Sequence, residues 1–542
     1  MRKNIALLLS GIIAFLAGYS QTFQSINKDS LAKHIMILAS DSFQGRKPFT
    51  IGETRSVDYI QNVYKYLGLE PGNGDSYVQD VPMVSIKPDT ITPLKVESPN
   101  GNFELQSFTD FVAWTERTDP VESFNNDEVV FAGYGVVAPE YNWNDYANLD
   151  VKGKIVMVMV NDPGFGNGDT TLFQGIRETY YGRWTYKYEE AARQGAKGCL
   201  IIHNTAAASY PFSVIQNSNT GAKLHLDNRS NKDYQLAIQG WIPEQTALKL
   251  LQAAGKDSSL LKSADIRGFK GTSLNIRLSV TVKSEIEYKL SKNVIAKITG
   301  SKHPNEYIIY SAHWDHFGIG KPDNKGDSIY NGAVDNASGV AALLDVARAF
   351  KNLPTPPDRS IIFIATTGEE QGLLGATYYA LHPIYPLAKT VADINFDMMN
   401  CFDRTKDISI DGPGESELDD YLQKEAESKG RYLGAESHPE AGHFFRADHF
   451  AFAKVGVPAF NTSAGIDDIT NGKAYGKKLK DDYYTYNYHR PSDNYDPKAW
   501  NLAGAAEDIE LLFQVGKKLA FSNAWVQWKP TSEFKAIREK SL

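Results

Sequence analysis

The chain has 542 residues, of which 42% are hydrophobic and 23% are charged, and its formal net charge is −8. Such a composition is typical of a globular protein, and the length allows about three or four domains, or one large domain interrupted by an insertion. Because phosphate binding depends on clustered Lys and Arg side chains, the slight acidity and the lack of a long basic run argue against a nucleic acid partner.

The first 20 residues predict a secretory signal peptide. Arg2 and Lys3 precede an apolar stretch over 5–17, and the small residues Gly18 and Ser20 follow it. The stretch is shorter than the about 20 apolar residues that a membrane-spanning helix needs, so we expect cleavage after Ser20. An N-terminal anchor is the alternative. Cleavage would leave a secreted or periplasmic protein with no stable insertion in a membrane.

The two cysteines, Cys199 and Cys401, lie in apolar segments far apart in the sequence. We predict that both are buried free thiols and that they do not form a disulfide. A secreted protein with so few cysteines fits a bacterial envelope better than a disulfide-rich extracellular domain.

The N-terminal part predicts two amphipathic helices and then strands. Apolar residues recur at helical spacing over 29–39 and 54–67, and a loop containing Gly and Pro separates them over 41–50. Alternating apolar residues then indicate strands over 77–84 and within 91–114.

The middle of the chain, from about 125 to 270, predicts a separate α/β domain. Apolar runs at 129–134, 155–160 and 199–203 indicate strands, and 186–194 is amphipathic with helical spacing. This part contains no plausible catalytic cluster.

From residue 293 onward, short apolar strands alternate regularly with amphipathic helices. The strands are predicted at 293–298, 307–312, 361–365 and 391–396, and the helices at 338–350 and 373–381. This alternation is typical of a doubly wound α/β fold, in which ligands bind at the carboxyl ends of the strands.

Histidine and carboxylate side chains follow three of these strands. His313 and Asp315 end the strand at 307–312, and because they are two residues apart they face the same side of an extended backbone. The pair Glu369 and Glu370 follows the strand at 361–365. Two adjacent carboxylates repel each other unless a cation is present, so this pair indicates a metal with a second carboxylate facing a bound water.

Three further residues complete a candidate metal set. Asp335 stands at the start of the helix at 338–350, Asp397 ends the strand at 391–396, and His489 lies in a loop fixed by a proline. Together with His313 and Glu370, they offer two imidazoles and three carboxylates. This combination suits two divalent ions of the zinc type, which a carboxylate can bridge.

In this order, the motifs His313-x-Asp315, Asp335-Asn-Ala-Ser-Gly339, Glu369-Glu370, Asn-Phe-Asp397 and Tyr-His489 resemble those of the co-catalytic di-zinc aminopeptidase family. This family also contains glutamate carboxypeptidase, the transferrin receptor and the glutaminyl cyclases. The resemblance implies a doubly wound mixed sheet of the zinc exopeptidase type. It implies a catalytic domain formed by 21–124 and 271–542, with 125–270 similar to an inserted protease-associated domain.

The resemblance also implies the role of each candidate metal ligand. Asp335 would bridge two zinc ions per chain. Glu370 and His489 would complete one zinc site, and His313 and Asp397 the other.

Further residues are assigned by the same resemblance. Glu369 would be the general base, Asp315 would orient His313, and the peptide bond between Asp335 and Asn336 would be cis.

A substrate pocket is predicted less directly. Arg446 and Asp448 lie where the family often has a Ser-Asp-His segment, and they would line the pocket together with Tyr488. A structural role for Arg446 and Asp448, and plain packing for the tyrosines, are the alternatives.

The sequence therefore predicts a secreted zinc aminopeptidase that acts on peptides with free N-termini. Three alternatives remain open, namely a zinc carboxypeptidase, a transferase of the glutaminyl cyclase type, and a binding protein without catalytic activity. The sequence makes no prediction about the oligomeric state.

Overall fold

The computed structural model describes residues 25–167, 169–229, 235–436 and 438–541. The predicted signal peptide lies outside these residues. None of the helices within the described ranges is both long enough and apolar enough to cross a bilayer. Cys199 and Cys401 are both buried and free, which confirms the prediction.

The bounds of the helices and strands follow in chain order. The N-terminal part contains α1 (Lys28–Leu38), α2 (Ile51–Tyr66), β1 (Glu70–Pro71), β2 (Val78–Ile91), β3 (Leu94–Glu97), β4 (Phe103–Leu105) and β5 (Val112–Trp114). The middle part contains β6 (Val121–Phe131), β7 (Val137–Ala138), β8 (Trp143–Asn144), β9 (Ile155–Met159), α3 (Pro163–Asn167), α4 (Trp184–Arg193), β10 (Gly198–His203), α5 (Thr205–Ala208), α6 (Phe212–Ser218), β11 (Lys223–Leu226), β12 (Ile238–Pro243), α7 (Glu244–Ala253) and α8 (Ser259–Ser263).

The C-terminal part contains β13 (Thr272–Ile298), β14 (His303–His313), β15 (Gly318–Ile319), β16 (Ile329–Tyr330), α9 (Gly339–Lys351), β17 (Arg359–Thr366), α10 (Leu374–Leu381), β18 (Thr390–Asn395), β19 (Asp407–Ile410), α11 (Leu418–Ser428), β20 (Tyr432–Gly434), α12 (His449–Lys454), β21 (Ala459–Phe460), β22 (Thr462–Ala464), α13 (Lys473–Tyr486), α14 (Ala503–Ala520) and α15 (Lys535–Ser541). The strands and helices predicted from 293 to 396 are confirmed, and the predicted loop at 41–50 contains a short 3₁₀ helix over Asp41–Arg46.

The main sheet is mixed and covered by helices on both faces. Strands β14, β17, β18 and β21 are parallel, and β13 joins β17 in the antiparallel sense. Alternate residues of β14 enter different cores: Tyr310 packs with α1, α9 and α14 on one face, whereas Ile309 packs with α10 and α12 on the other. This arrangement confirms the doubly wound α/β fold.

Strand β13 continues the sheet into the middle part of the chain. It is 27 residues long and pairs with β17 near its end and with β6 near its start. Beyond β6 the sheet continues through the parallel strands β9, β10 and β12, and the antiparallel strand β5 closes this side.

The middle part contributes to two hydrophobic cores, one of which also includes C-terminal residues such as Phe444 and Trp528. Residues such as Leu94, Leu105 and Phe111 from β3 to β5 pack in one of these cores, beside Ile155 and Ile238. These three strands therefore pack with the middle part and not with α1 and α2. The domain boundaries at 125 and 270 remain predictions.

A candidate metal centre at the carboxyl ends of the strands

The carboxyl ends of β14, β17 and β18 bring predicted site residues to one edge of the sheet. His313 is the last residue of β14, Asp397 follows β18, and Glu369 and Glu370 form a short 3₁₀ turn after β17. Gly368 begins this turn with φ of +66°, a conformation that glycine adopts without strain.

Asp335 enters the site from the segment that precedes α9. The peptide bond between Asp335 and Asn336 is cis, as the family resemblance implies. The Asn336 side chain donates to the backbone oxygen of Phe396 at 2.9 Å, and the Asp493 carboxylate accepts from the backbone N–H groups of Val334 at 3.1 Å and Asp335 at 3.2 Å. These bonds hold Asp335 in place from both sides.

The two carboxylate oxygens of Asp335 face two different histidines. Its Oδ1 lies 3.3 Å from Nε2 of His313, and its Oδ2 lies 3.2 Å from Nε2 of His489. On the His313 side, Oδ1 of Asp397 lies 3.4 Å from Nε2 of His313. On the His489 side, Oε2 of Glu370 lies 3.4 Å from Nε2 of His489. The five predicted ligands are thus brought together, with Asp335 in the middle.

The donor atoms of this cluster fit metal ions. Nε2 of His313 and Oδ1 of Asp397 are buried and have no hydrogen-bond partner among the described residues. Buried polar atoms are rarely left unpaired, so such atoms indicate a ligand that completes the site. Two groups of three side chains have ligand atoms within 4.8 Å of one another: His313, Glu369 and Asp397 form one, and His316, Asp335 and Glu370 the other.

The charges of the cluster are unbalanced without a cation. Burial raises the pKa of Glu369 and of Glu370 well above the usual range, because neighbouring carboxylates add to the desolvation. Burial also opposes ionisation of Asp335, yet the adjacent imidazoles of His313 and His489 bring its pKa well below the usual value. A cluster with more carboxylates than imidazoles favours the binding of cations.

Glu369 and Asp315 are in contact at the side of His313. Oε2 of Glu369 lies 3.8 Å from Nε2 of His313, and the Glu369 backbone N–H donates to Oδ1 of Asp315 at 3.1 Å. Nδ1 of His313 lies 3.2 Å from the backbone oxygen of Asp315 and 3.9 Å from its carboxylate. The backbone oxygen of Asp315 is therefore nearer to the ring than the predicted carboxylate.

Two residues of this site were missed by the sequence analysis. His316 is buried, and its Nδ1 lies 2.5 Å from Oε1 of Glu370. Its position directly after Asp315 at the strand end is the signal that could have revealed it. Arg46 is also buried, and it donates to four backbone oxygens, two of which belong to Trp314 and Gly332. A contact with backbone oxygens has no signature in the sequence.

A pocket of about 220 Å³ opens beside the cluster and is lined in part by Asp397, Arg446 and Tyr488. Asp448 does not line this pocket. Its side chain is buried, and its carboxylate accepts a hydrogen bond from the Thr366 hydroxyl. The position of Asp448 therefore differs from the predicted one, because its side chain turns toward the sheet.

Known proteins resemble this chain in sequence and in structure. The model of peptidase family M28 matches residues 293–514. The glutamate carboxypeptidase 2 homolog of Caenorhabditis elegans is 26% identical over 321 residues, which are 50% of this chain and 37% of that protein. A probable zinc metalloprotease of Pyrenophora teres f. teres is 41% identical over 106 residues, which are 20% of this chain and 22% of that protein.

Among solved structures, the aminopeptidase from Aneurinibacillus sp. strain AM-1 is 20% identical, with a TM-score of 0.49. The match covers 93% of this chain and 96% of that chain. Against the curated relatives described above, the chain spans less than half of their length.

Proposed function

The chain belongs to peptidase family M28 through its residues 293–514, and from this premise we propose that it is a zinc-dependent aminopeptidase that releases N-terminal residues from peptides. The observation that supports this most directly is the position of Asp335, whose two carboxylate oxygens each face a different histidine. A carboxylate in this position can bridge two metal ions.

The ligands divide into two sets around Asp335. His313 and Asp397 would hold one zinc ion, and Glu370 and His489 the other. When bound, the two ions would polarise the carbonyl of the scissile peptide bond and lower the pKa of a water molecule. A free N-terminal amine is a natural partner for such an acidic centre.

Glu369 is the proposed general base. Its carboxylate is buried at the edge of the cluster, and burial raises its pKa well above the usual range of a glutamate. Bound cations would offset the neighbouring carboxylates that add to this shift, and the ionised Glu369 could then take a proton from the attacking water and deliver it to the leaving amine. The backbone bond from Glu369 to Asp315 fixes the position of this residue.

A zinc carboxypeptidase is the second candidate, since the matched nematode protein is named a glutamate carboxypeptidase homolog. The same metal ligands would serve cleavage at either end of the peptide. The two candidates therefore differ in which terminus of the peptide is bound beside the metal site. The predicted signal peptide supports an action outside the cytoplasm in either case.

The test is to incubate the purified protein and zinc with peptides that carry free or acetylated N-termini, and to identify the products by mass spectrometry. We expect stepwise loss of the first residue from the free-amine peptides only. Shortening from the C-terminus would establish the carboxypeptidase instead. Loss of ammonia from peptides that begin with Gln would indicate a cyclase, and intact peptides throughout would contradict any peptidase.

A further inference from the structure

The pocket beside the metal cluster has two cationic side chains in its wall. Asp397, which is a candidate metal ligand, lines it, and so do Arg446 and Lys480. Its volume of about 220 Å³ leaves room for one amino-acid side chain. A residue whose main chain lies at the metal cluster would therefore direct its side chain toward these two cations.

The guanidinium of Arg446 is free to bind a ligand. It forms no hydrogen bond and no ion pair within the part of the chain that the structure describes. Glu178, whose charge acts on Arg446, is engaged with Arg183 at 3.6 Å. Lys480 makes one contact there, a bond of 3.3 Å to the backbone oxygen of Ala464.

The one other acidic side chain in the wall is already engaged. Oδ1 of Asp411 accepts from the Ser463 hydroxyl at 2.7 Å, and its Oδ2 accepts from the Asn461 amide at 2.9 Å. Asp411 is also buried. Both carboxylate oxygens of Asp411 thus already accept a hydrogen bond from the protein, and the charge of Asp411 acts on Lys480 by raising its pKa. Arg446 is therefore the cation of this wall that is more open to an anionic ligand.

Desolvation disfavours the charged form of both cations, and nearby carboxylates offset this only in part. Burial lowers the pKa of Lys480 and that of Arg446 below their usual values. A carboxylate that entered the pocket would stabilise the charged form of both groups, and an arginine can hold a carboxylate through two parallel hydrogen bonds.

We propose that this pocket binds the side-chain carboxylate of an N-terminal Asp or Glu, so that the enzyme preferentially releases acidic residues. The inference rests on the proposed aminopeptidase function and specifies its substrate. Arg446 is the principal contact, and Lys480 supports it.

The first experiment compares tetrapeptides that differ only in residue one. The pair Asp and Asn is isosteric, and Glu, Leu and Lys extend the series. We expect kcat/KM for the Asp peptide to exceed that for the Asn peptide by at least about tenfold, as a charge-assisted bond in a partly desolvated site would give. Equal rates for Asp and Asn, or a preference for Leu or Lys, would overturn the inference while leaving the aminopeptidase intact.

Variants then assign the preference to the pocket. Arg446→Met and Lys480→Met should each reduce the Asp to Asn ratio, and Arg446→Glu should shift the preference toward Lys. Lys477→Met is the matched control, because Lys477 lies on the same helix but is exposed and paired with Asp481. An unchanged ratio in both methionine variants, once their folding has been verified by circular dichroism, would overturn the inference.

A binding measurement separates this inference from the proposed function. The zinc-loaded Glu369→Gln protein is titrated calorimetrically with the Asp and Asn peptides. Tighter binding of the Asp peptide that is lost with Arg446→Met would support the acidic pocket even if no peptide were hydrolysed. Equal affinity for the two peptides would contradict it, and hydrolysis from the C-terminus would contradict both proposals.

Discussion

Asp335 is held so that its two oxygens point in different directions, and the metal cluster is organised around it. Asp493 fixes the backbone on one side, and Asn336 reaches the end of β18 on the other. Because neither support uses the Asp335 carboxylate itself, that carboxylate stays available to His313 and His489. Rigid support of this kind fixes the geometry before a metal binds.

Replacing Glu369 with Gln tests the proposed base. The amide keeps the size of the side chain but cannot accept a proton from water, so we expect kcat to fall by about 10³-fold, within the range attributed to general bases. Zinc content, measured by mass spectrometry of the metal, should stay at the parent value. Glu427→Gln, on the exposed side of α11, is the control. Near-parental activity of Glu369→Gln would exclude this role.

At the residue scale, the sequence predicted those side chains that act through their own chemistry. His313, Asp335 and Asp397 follow strands or begin a helix, and the order of their motifs was specific. His316 and Arg46 were missed because their roles depend on neighbours that only the fold brings near. Asp448 occupies the position expected of the alternative structural role, since its side chain turns toward Thr366 and does not line the pocket.

At the scale of elements, the N-terminal segment secures the loops that carry the metal ligands. Arg46, from the 3₁₀ helix before α2, donates to the backbone oxygens of Trp314 at 2.9 Å, Asn331 at 2.5 Å and Gly332 at 2.9 Å. Trp314 follows His313, and Gly332 precedes Asp335 by three residues. Arg46 therefore joins the two loops that carry His313 and Asp335. Burial lowers the pKa of Arg46 to about 10.

We expect Arg46→Lys to weaken the metal centre although the charge is kept. A lysine has a single ammonium group, which cannot reproduce the spread of donors in a guanidinium, so buried carbonyl oxygens would lose their partners. The free energy of unfolding should fall by about 1–3 kcal/mol, and zinc affinity, measured against a chelating dye, should fall as well. Arg277→Lys, at an exposed position of β13 where the arginine donates to the backbone oxygen of Asn126, is the control and should leave zinc affinity unchanged. Unaltered zinc affinity in Arg46→Lys would contradict the role.

The elements themselves were predicted best where the pattern was regular. The strands and helices from 293 to 396 were recognised because apolar runs alternate there with amphipathic stretches. Strand β13 was predicted only over 293–298, whereas it begins at Thr272. Its outer portion carries exposed charged residues such as Glu285 and Glu287, so hydrophobicity alone did not extend the strand.

At the scale of the whole molecule, the middle part of the chain is attached to the C-terminal part by a shared hydrophobic core and by part-buried polar contacts. The backbone N–H of Tyr180 donates to Glu533 at 3.0 Å, and Arg177 donates to the backbone oxygen of Pro413 at 2.8 Å. Glu415 lies at the same contact, and burial, reinforced by the charge of Glu533, raises its pKa to about 8. This contact was not predictable, because its partners are more than 200 residues apart.

The raised pKa of Glu415 predicts how stability depends on pH. The folded protein keeps a proton on Glu415 up to about pH 8, whereas the unfolded chain releases it near its ordinary pKa of 4.5. The contribution of Glu415 to the free energy of unfolding is therefore fully present below about pH 4.5 and is lost as the pH rises toward 8. Relative to the parent, Glu415→Gln should therefore gain stability between pH 5 and pH 8, by up to about 3–4 kcal/mol.

Urea unfolding across this pH range measures the effect, with Glu427→Gln as the control. A difference between Glu415→Gln and the parent that is constant with pH would contradict the assignment to this carboxyl group.

Strand β13 also determines how the protein unfolds on heating and which of its fragments can fold alone. One covalent segment supplies hydrogen bonds to β17 and to β6, so each side of the sheet covers an edge of the other. If the strands on one side of β13 unfolded, the backbone hydrogen-bonding groups of the strands on the other side would be left unpaired. We therefore expect the two parts to unfold together, in a single calorimetric transition. Fragments cut at 125 and 270 would each retain a strand whose edge has lost its partner. Exposed edge strands of this kind pair with one another and promote aggregation. The excised middle part is therefore expected to aggregate unless β13 travels with it.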